Sequence, residues 1–67
     1  MNTHFNRFQH YSSRAAKAER AGKYELARSH WEVAAISAKQ PFNQDWCIKR
    51  AEFCQRMLTK PFVGNTK

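Results

Sequence analysis

The sequence is poor in glycine, proline, cysteine and acidic residues, with two each of the first three and five acids among 67 residues. Two glycines cannot build a glycine-rich phosphate loop, and three histidines with two cysteines show no zinc-ligand spacing. No apolar run approaches the roughly 20 residues of a membrane span, and none follows the polar N-terminus as in a signal peptide. We therefore expect a cytoplasmic protein that needs no cofactor or metal and does not bind a membrane.

The shortness of the chain also argues against catalysis. A domain of this size buries only about 60% of the surface that its unfolded chain exposes. A catalytic pocket needs walls around it, and the sequence contains neither a carboxylate cluster nor a nucleophile motif. We therefore predict that the protein is not an enzyme and that residues 1–67 form a single domain.

The two cysteines are predicted to remain unpaired. Cys47 and Cys54 are seven residues apart, which separates them by about 10 Å along a helix, whereas a disulfide needs Cα atoms within about 7 Å. We expect both to be small buried side chains in a reducing compartment.

The spacing of apolar residues predicts an all-α fold, because few β-branched residues occur and no strand-like alternation persists. The predicted domain has three helices, at about residues 5–21, 24–39 and 44–59, and a flexible tail at residues 61–67. Gly22 should end the first helix, Pro41 the second and Pro61 the third. Asn43 is the candidate N-cap of the third helix.

Each predicted helix has an apolar face, and the three faces together define the expected core. The first helix contributes Phe5, Phe8, Tyr11, Ala15, Ala16 and Ala18; the second contributes Tyr24, Ala27, Trp31, Ala34, Ala35 and Ala38; the third contributes Trp46, Cys47, Ala51, Phe53, Cys54, Met57 and Leu58. A further apolar strip, formed by Leu26 and Val33, lies roughly 120–160° around the second helix from its first apolar face. We therefore expect this helix to bury two faces in the middle of the bundle, with its neighbours antiparallel to it.

The alternation of small and large residues in the first two helices resembles a tetratricopeptide-type hairpin. Ala15 and Ala27 would let the helices cross closely, while Tyr24 and Trp31 fill the space beside them. The third helix would cover the open side, as a capping helix does in repeat proteins. The residues that carry the pattern are Tyr11, Ala15, Ala18, Gly22, Tyr24, Ala27, Trp31 and Ala34, followed by Trp46 and Phe53.

Residues 11–56 also resemble the ANR family, small negative regulators of AraC-type activators in enteric pathogens. The positions that carry the resemblance are Ala15, Ala18, Glu19, Gly22, Tyr24, Ala27, Trp31, Ala34, Ala35, Asn43, Trp46, Arg50 and Cys54. The resemblance implies a cytoplasmic bacterial protein that binds an AraC-type transcriptional activator and blocks its dimerisation or DNA binding. It implies a nucleoid-associated protein as a second partner. Relatives that resemble PerC activate instead, so the direction of regulation stays open.

Two surface features are candidate partner-binding sites. The net charge of +7 favours an acidic partner, and its densest part is a basic stripe on the first helix formed by Arg7, His10, Arg14 and Lys17. The alternative is a solvated helix face. Ile36 and Ile48 fall on the polar faces of their helices, where they mark either a contact with a partner or second copy or isolated exposed residues. We expect a homodimer, since a chain this small gains stability by burying leftover apolar surface.

A small basic DNA-binding protein is the alternative function. A helix-turn-helix motif also has three helices and an alanine four residues before a turn glycine, as Ala18 and Gly22 are placed. However, its apolar positions would be occupied by Lys17, Lys23 and Arg28. Its recognition helix would also carry two glutamates, which repel phosphates. We therefore expect direct nucleic acid binding to be less important than protein binding.

Two polar residues lie near apolar positions. Glu19 falls within the apolar arc of the first helix, and three roles are open to it: capping the helix, pairing with Lys23 or contacting a partner. His30 lies beside Leu26 and Val33 on the second helix. We expect a histidine that faces a neighbouring helix rather than a catalytic one.

Overall fold

The computed structural model describes residues 6–59, and this part of the chain consists of three α-helices without any strand. The helices are α1 (Arg7–Arg20), α2 (Tyr24–Ser37) and α3 (Pro41–Thr59). The predicted all-α class is therefore confirmed. Phe5, the predicted start of the first helix, and the predicted tail at residues 61–67 lie outside the described residues.

Both ends of α1 are closed by hydrogen bonds. The Asn6 side chain accepts from the backbone N–H of Gln9 at 3.0 Å, which makes Asn6 the N-cap. At the other end, Gly22 has φ of 78° and the N–H of Lys23 donates to the carbonyl of Ala18 at 2.9 Å. This is the Schellman arrangement, in which a left-handed glycine follows the helix. The predicted role of Gly22 is confirmed.

The connection between α2 and α3 differs from the prediction. α2 ends at Ser37, and α3 begins at Pro41 rather than near residue 44, so the prediction of Asn43 as N-cap is wrong. Proline suits the first position of a helix, because its fixed φ is helical and its missing N–H would have no partner there. The first turn closes when Gln44 N–H donates to the Gln40 carbonyl at 3.0 Å.

α2 lies in the middle, as predicted, because α1 and α3 each pack along it. The prediction that Leu26 and Val33 form a second buried strip is wrong: Leu26 is 48% exposed and Val33 is half-buried. Both neighbouring helices instead adjoin the broad face that contains Ala27 and Trp31. His30 on one side of this face meets α1, and Trp31 meets α3.

The core is built from small side chains. Among residues 6–59, the nine buried apolar residues comprise six alanines, two cysteines and one large residue: Ala15, Ala18, Ala27, Trp31, Ala34, Ala35, Cys47, Ala51 and Cys54. Most of the large apolar side chains lie outside it, exposed to solvent, namely Leu26, Ile36, Phe42, Trp46, Ile48, Met57 and Leu58. Small residues inside allow the helices to approach closely, but they leave little space for larger ones.

Three residues of α3 that were predicted to be buried are exposed: Trp46, Met57 and Leu58. Phe53 packs against Tyr24, the first residue of α2, with ring centroids 6.3 Å apart. Met57 and Leu58 follow one turn later, beyond the N-terminal end of α2, so α2 does not extend far enough to cover them. Trp46 lies at the edge of the core, where its ring meets Trp31.

Candidate protein-binding surfaces

Glu19 connects all three helices. Its carboxylate on α1 accepts a hydrogen bond from Trp31 Nε1 of α2 at 3.0 Å and pairs with the guanidinium of Arg50 on α3. The thiol of Cys54 lies 3.8 Å from the same carboxylate. We call these four residues the Glu19 clasp. Because α1 and α3 pack mainly on α2, the clasp is a direct side-chain link between the two outer helices.

Within the clasp, the charges of Glu19 and Arg50 neutralise each other. The Glu19 side chain is only 16% exposed, and the Arg50 guanidinium lies over the Phe53 ring, 4.6 Å from its centroid. None of the three roles left open for Glu19 is the one observed. Its partner Arg50 is 31 residues away, and helical periodicity carries no signal for a contact at that separation.

The two cysteines are free and buried, so the prediction that they do not form a disulfide is confirmed. Burial raises the pKa of the Cys47 thiol. Burial also raises the pKa of the Cys54 thiol, although Arg50 and Arg28 act in the opposite direction. Thiols that stay protonated are poor nucleophiles and metal ligands. Among residues 6–59, no group of three His, Cys, Asp or Glu side chains could hold a metal ion.

The basic stripe lies along one side of α1, and its two arginines and its lysine lack acidic partners among residues 6–59. Arg7, Arg14 and Lys17 are exposed, and no acidic residue within the described 54 positions pairs with them. His10 is half-buried, with its ring edge-on to Tyr11 at 4.8 Å between centroids. The three ion pairs of the described residues use cations of α2 and α3. The structure therefore leaves the positive charge of the stripe available to a partner.

The stripe continues onto α2 through His30, which sequence analysis did not assign to it. The His30 ring lies 5.7 Å from the Tyr11 ring, between centroids. Burial lowers the pKa of His30, and the nearby charges of Arg14 and His10 lower it further. His30 therefore favours its neutral form, and it marks the side of α2 along which the stripe lies.

Ile36 borders two surface cavities. One is lined in part by Arg7 and Lys39. The other is a groove of about 600 Å³ between α2 and α3, which brings Ile36 together with Ile48; the two side chains are 81% and 43% exposed, as predicted. We call it the α2–α3 groove, and its lining residues are Arg28, Glu32, Ala35, Ile36, Gln44, Ile48, Ala51, Glu52 and Gln55. Arg28 and Glu32 pair across one helical turn at 3.1 Å, as their spacing predicts. The groove is thus an apolar strip bordered by charges of both signs.

No helix in residues 6–59 is both long and apolar enough to span a bilayer.

The chain was compared with family models, curated proteins and solved structures. No family model matches the chain, and no solved structure matches it. A protein in the Mu-like prophage FluMu region of Haemophilus influenzae is 52% identical over 60 residues, which cover 90% of this chain and 81% of the relative. The chain therefore belongs to the same family as this prophage-region protein.

Proposed function

We propose that the protein is a small cytoplasmic regulator of transcription that acts by binding another protein. The observation that carries this proposal is the position of the large apolar residues. In the described part of the chain, six of the nine buried apolar residues are alanines, whereas seven large apolar side chains face solvent. Covering such residues with a protein surface lowers the free energy of the complex, because apolar area is removed from water. A phosphate backbone is charged and does not bury apolar area in this way.

The basic stripe supplies the second contact. With Arg7, Arg14 and Lys17 free of acidic partners, an acidic face on the target would neutralise them and fix its orientation. Exposed aromatic rings for stacking on nucleic acid bases are absent from the stripe itself, since Tyr11 is half-buried against His30. This arrangement supports a protein partner more than a nucleic acid.

We propose an AraC-type activator as the target, on the strength of the resemblance of residues 11–56 to the ANR family. The regulator would cover a helical or linker surface of the activator and sterically block its dimerisation or DNA binding. A nucleoid-associated protein is a second target class on the same ground. An activating role, as in PerC-like relatives, requires the same docking step with the opposite result for transcription.

The experiment measures binding of the purified protein to a purified AraC-type activator after nuclease treatment of both. The variant Arg14→Glu with Lys17→Glu should weaken binding by about tenfold or more, because two attractive contacts become repulsive. The matched control is Lys49→Glu with Arg56→Glu, which changes the net charge equally at exposed positions of α3, away from the stripe on α1. The control should bind like wild type.

Two results would contradict the proposal. Equal weakening by the stripe variant and the control would mean that only net charge matters. Unchanged activator binding together with loss of binding to random duplex DNA would establish the DNA-binding alternative. A reporter gene under the activator's promoter, with and without the protein, then decides between repression and activation.

A further inference from the structure

The α2–α3 groove lacks the excess of positive charge that the chain as a whole carries. The chain has a net charge of +7, yet the groove contains one arginine and two glutamates, a local charge of −1. Two copies of this protein repel each other where their stripes face, because Arg7, Arg14 and Lys17 have no acidic partner among the described residues. Repulsion is smaller where the two grooves meet, because the lining of each contains charges of both signs.

We propose that the groove is the interface of a symmetric homodimer. In a two-fold interface, both copies use the same surface, and every contact between two different residues occurs twice with the copies exchanged. Ile36 and Ile48 would pack against their counterparts and cover the apolar strip. Arg28 would lie against Glu52 of the partner subunit, and the symmetry axis would repeat this pair.

A second copy fits the groove because its lining is self-complementary. Apolar residues occupy the middle, and charges of both signs border it: Arg28, paired with Glu32, on α2 and Glu52 on α3. The alanine-built core provides the energetic reason. A monomer of this size buries little large apolar surface, and association is a common way for small domains to bury more.

The proposed dimer keeps both basic stripes accessible. Residues two positions apart on a helix point about 200° apart, so His30 and Glu32 face opposite sides of α2. The stripe lies beside His30, and the groove contains Glu32. A dimer formed through the groove therefore presents Arg14 and Lys17 of each stripe on an outer side, whereas Arg7 shares a cavity with Ile36 at the edge of the interface. Binding of targets by these outer stripes rests on the proposed function, whereas formation of the dimer does not.

The experiment is sedimentation velocity on the full chain alone, from about 5 to about 500 µM, a range in which an interface of modest size dissociates. Wild type should change from monomer to dimer within this range. Ile36→Glu should raise the dissociation constant by about tenfold or more, because a charge is forced into the apolar strip. Ile36 is 81% exposed in the monomer, so the substitution leaves the helices intact.

The matched control is Leu26→Glu, which alters the charge equally at an exposed aliphatic residue of the same helix outside the groove. It should dimerise like wild type. Arg28→Glu and Glu52→Arg should each weaken the dimer by about tenfold, and the double variant should recover most of the loss. Circular dichroism verifies that each variant is folded.

A wild type that stays monomeric across the range would overturn the proposal, as would equal effects of Ile36→Glu and Leu26→Glu. If the double variant does not recover the dimer affinity of wild type, the proposed pairing of Arg28 with Glu52 is ruled out. The measurement contains no activator, and a stripe variant such as Arg14→Glu should still dimerise. Its outcome is therefore separate from that of the proposed function.

Discussion

Glu19 on α1 pairs with Arg50 on α3 although 31 residues separate them in the sequence, and the same carboxylate accepts the indole N–H of Trp31. One side chain thus holds α1 and α3 to each other as well as to α2. Both residues belong to the set that carries the ANR resemblance. Their contacts assign these positions to maintaining the fold rather than to binding a partner.

Loss of the Glu19 carboxylate should destabilise the protein more than loss of an exposed acid. Glu19→Ala leaves the half-buried Arg50 and the Trp31 N–H without partners, which should cost roughly 1–3 kcal/mol of unfolding free energy. Glu19→Gln keeps an acceptor for Trp31 and should lie between the alanine variant and wild type. Urea denaturation at one fixed protein concentration measures the effect.

The control for the clasp is Glu25→Ala, since Glu25 is exposed and makes no ion pair among the described residues. Its removal should cost less than about 1 kcal/mol, the contribution of an acid in the first turn of a helix. If Glu19→Ala and Glu25→Ala denature at the same urea concentration, the clasp contributes nothing to stability.

The two tryptophans should respond very differently to truncation. Trp31 is 2% exposed and is the one large side chain that is fully buried within residues 6–59, so Trp31→Ala should cost roughly 3–5 kcal/mol and unfold a domain this small. Trp46 is 46% exposed, and Trp46→Ala should cost only about 1–2 kcal/mol. Thermal melts followed by circular dichroism compare the two. Equal melting temperatures would show that the assigned core is wrong.

Acidification should weaken the fold through His30. Its pKa is lowered from the ordinary value of 6.5, first by burial and then by Arg14 and His10. The unfolded chain therefore binds a proton at a higher pH than the folded one, and stability rises with pH between the two pKa values. The stabilising contribution is complete above 6.5 and is lost as pH falls toward the lowered value.

Urea denaturation at several values between about pH 5 and about pH 7 measures this loss. His30→Gln cannot titrate, so its stability should change less with pH over the same interval. A pH dependence identical to that of wild type would assign the effect to other groups.

The left-handed turn at Gly22 should tolerate few replacements. No atom lies within 4 Å of the position that a Cβ would occupy, so the cost of Gly22→Ala comes from the φ of 78° alone. We expect a loss of about 1 kcal/mol. Gly22→Asn should cost less, because asparagine enters this region more readily. Equal stability of the alanine variant and wild type, measured by urea denaturation, would contradict this assignment.

Periodicity and turn chemistry predicted the three helices and the role of Gly22, because both are local properties of the chain. Pro41 is also a local signal, but proline occurs both after the end of one helix and at the first position of the next, and the sequence alone does not distinguish the two. The exposure of Met57 could not be predicted. An apolar arc gives the direction of a side chain, whereas burial depends on how far the neighbouring helix extends. The pairing of Glu19 with Arg50 requires the tertiary fold.

The contact between Trp31 and Trp46 gives the protein a built-in optical probe. The chain has only two tryptophans, and their rings meet edge to face with centroids 4.9 Å apart, one from α2 and the other from α3. Tryptophan fluorescence therefore originates at the contact between α2 and α3, and it reports a separation of these two helices without any attached dye. A binding partner that covers the half-exposed ring would shift the emission, while one that docks only on the basic stripe would leave it unchanged.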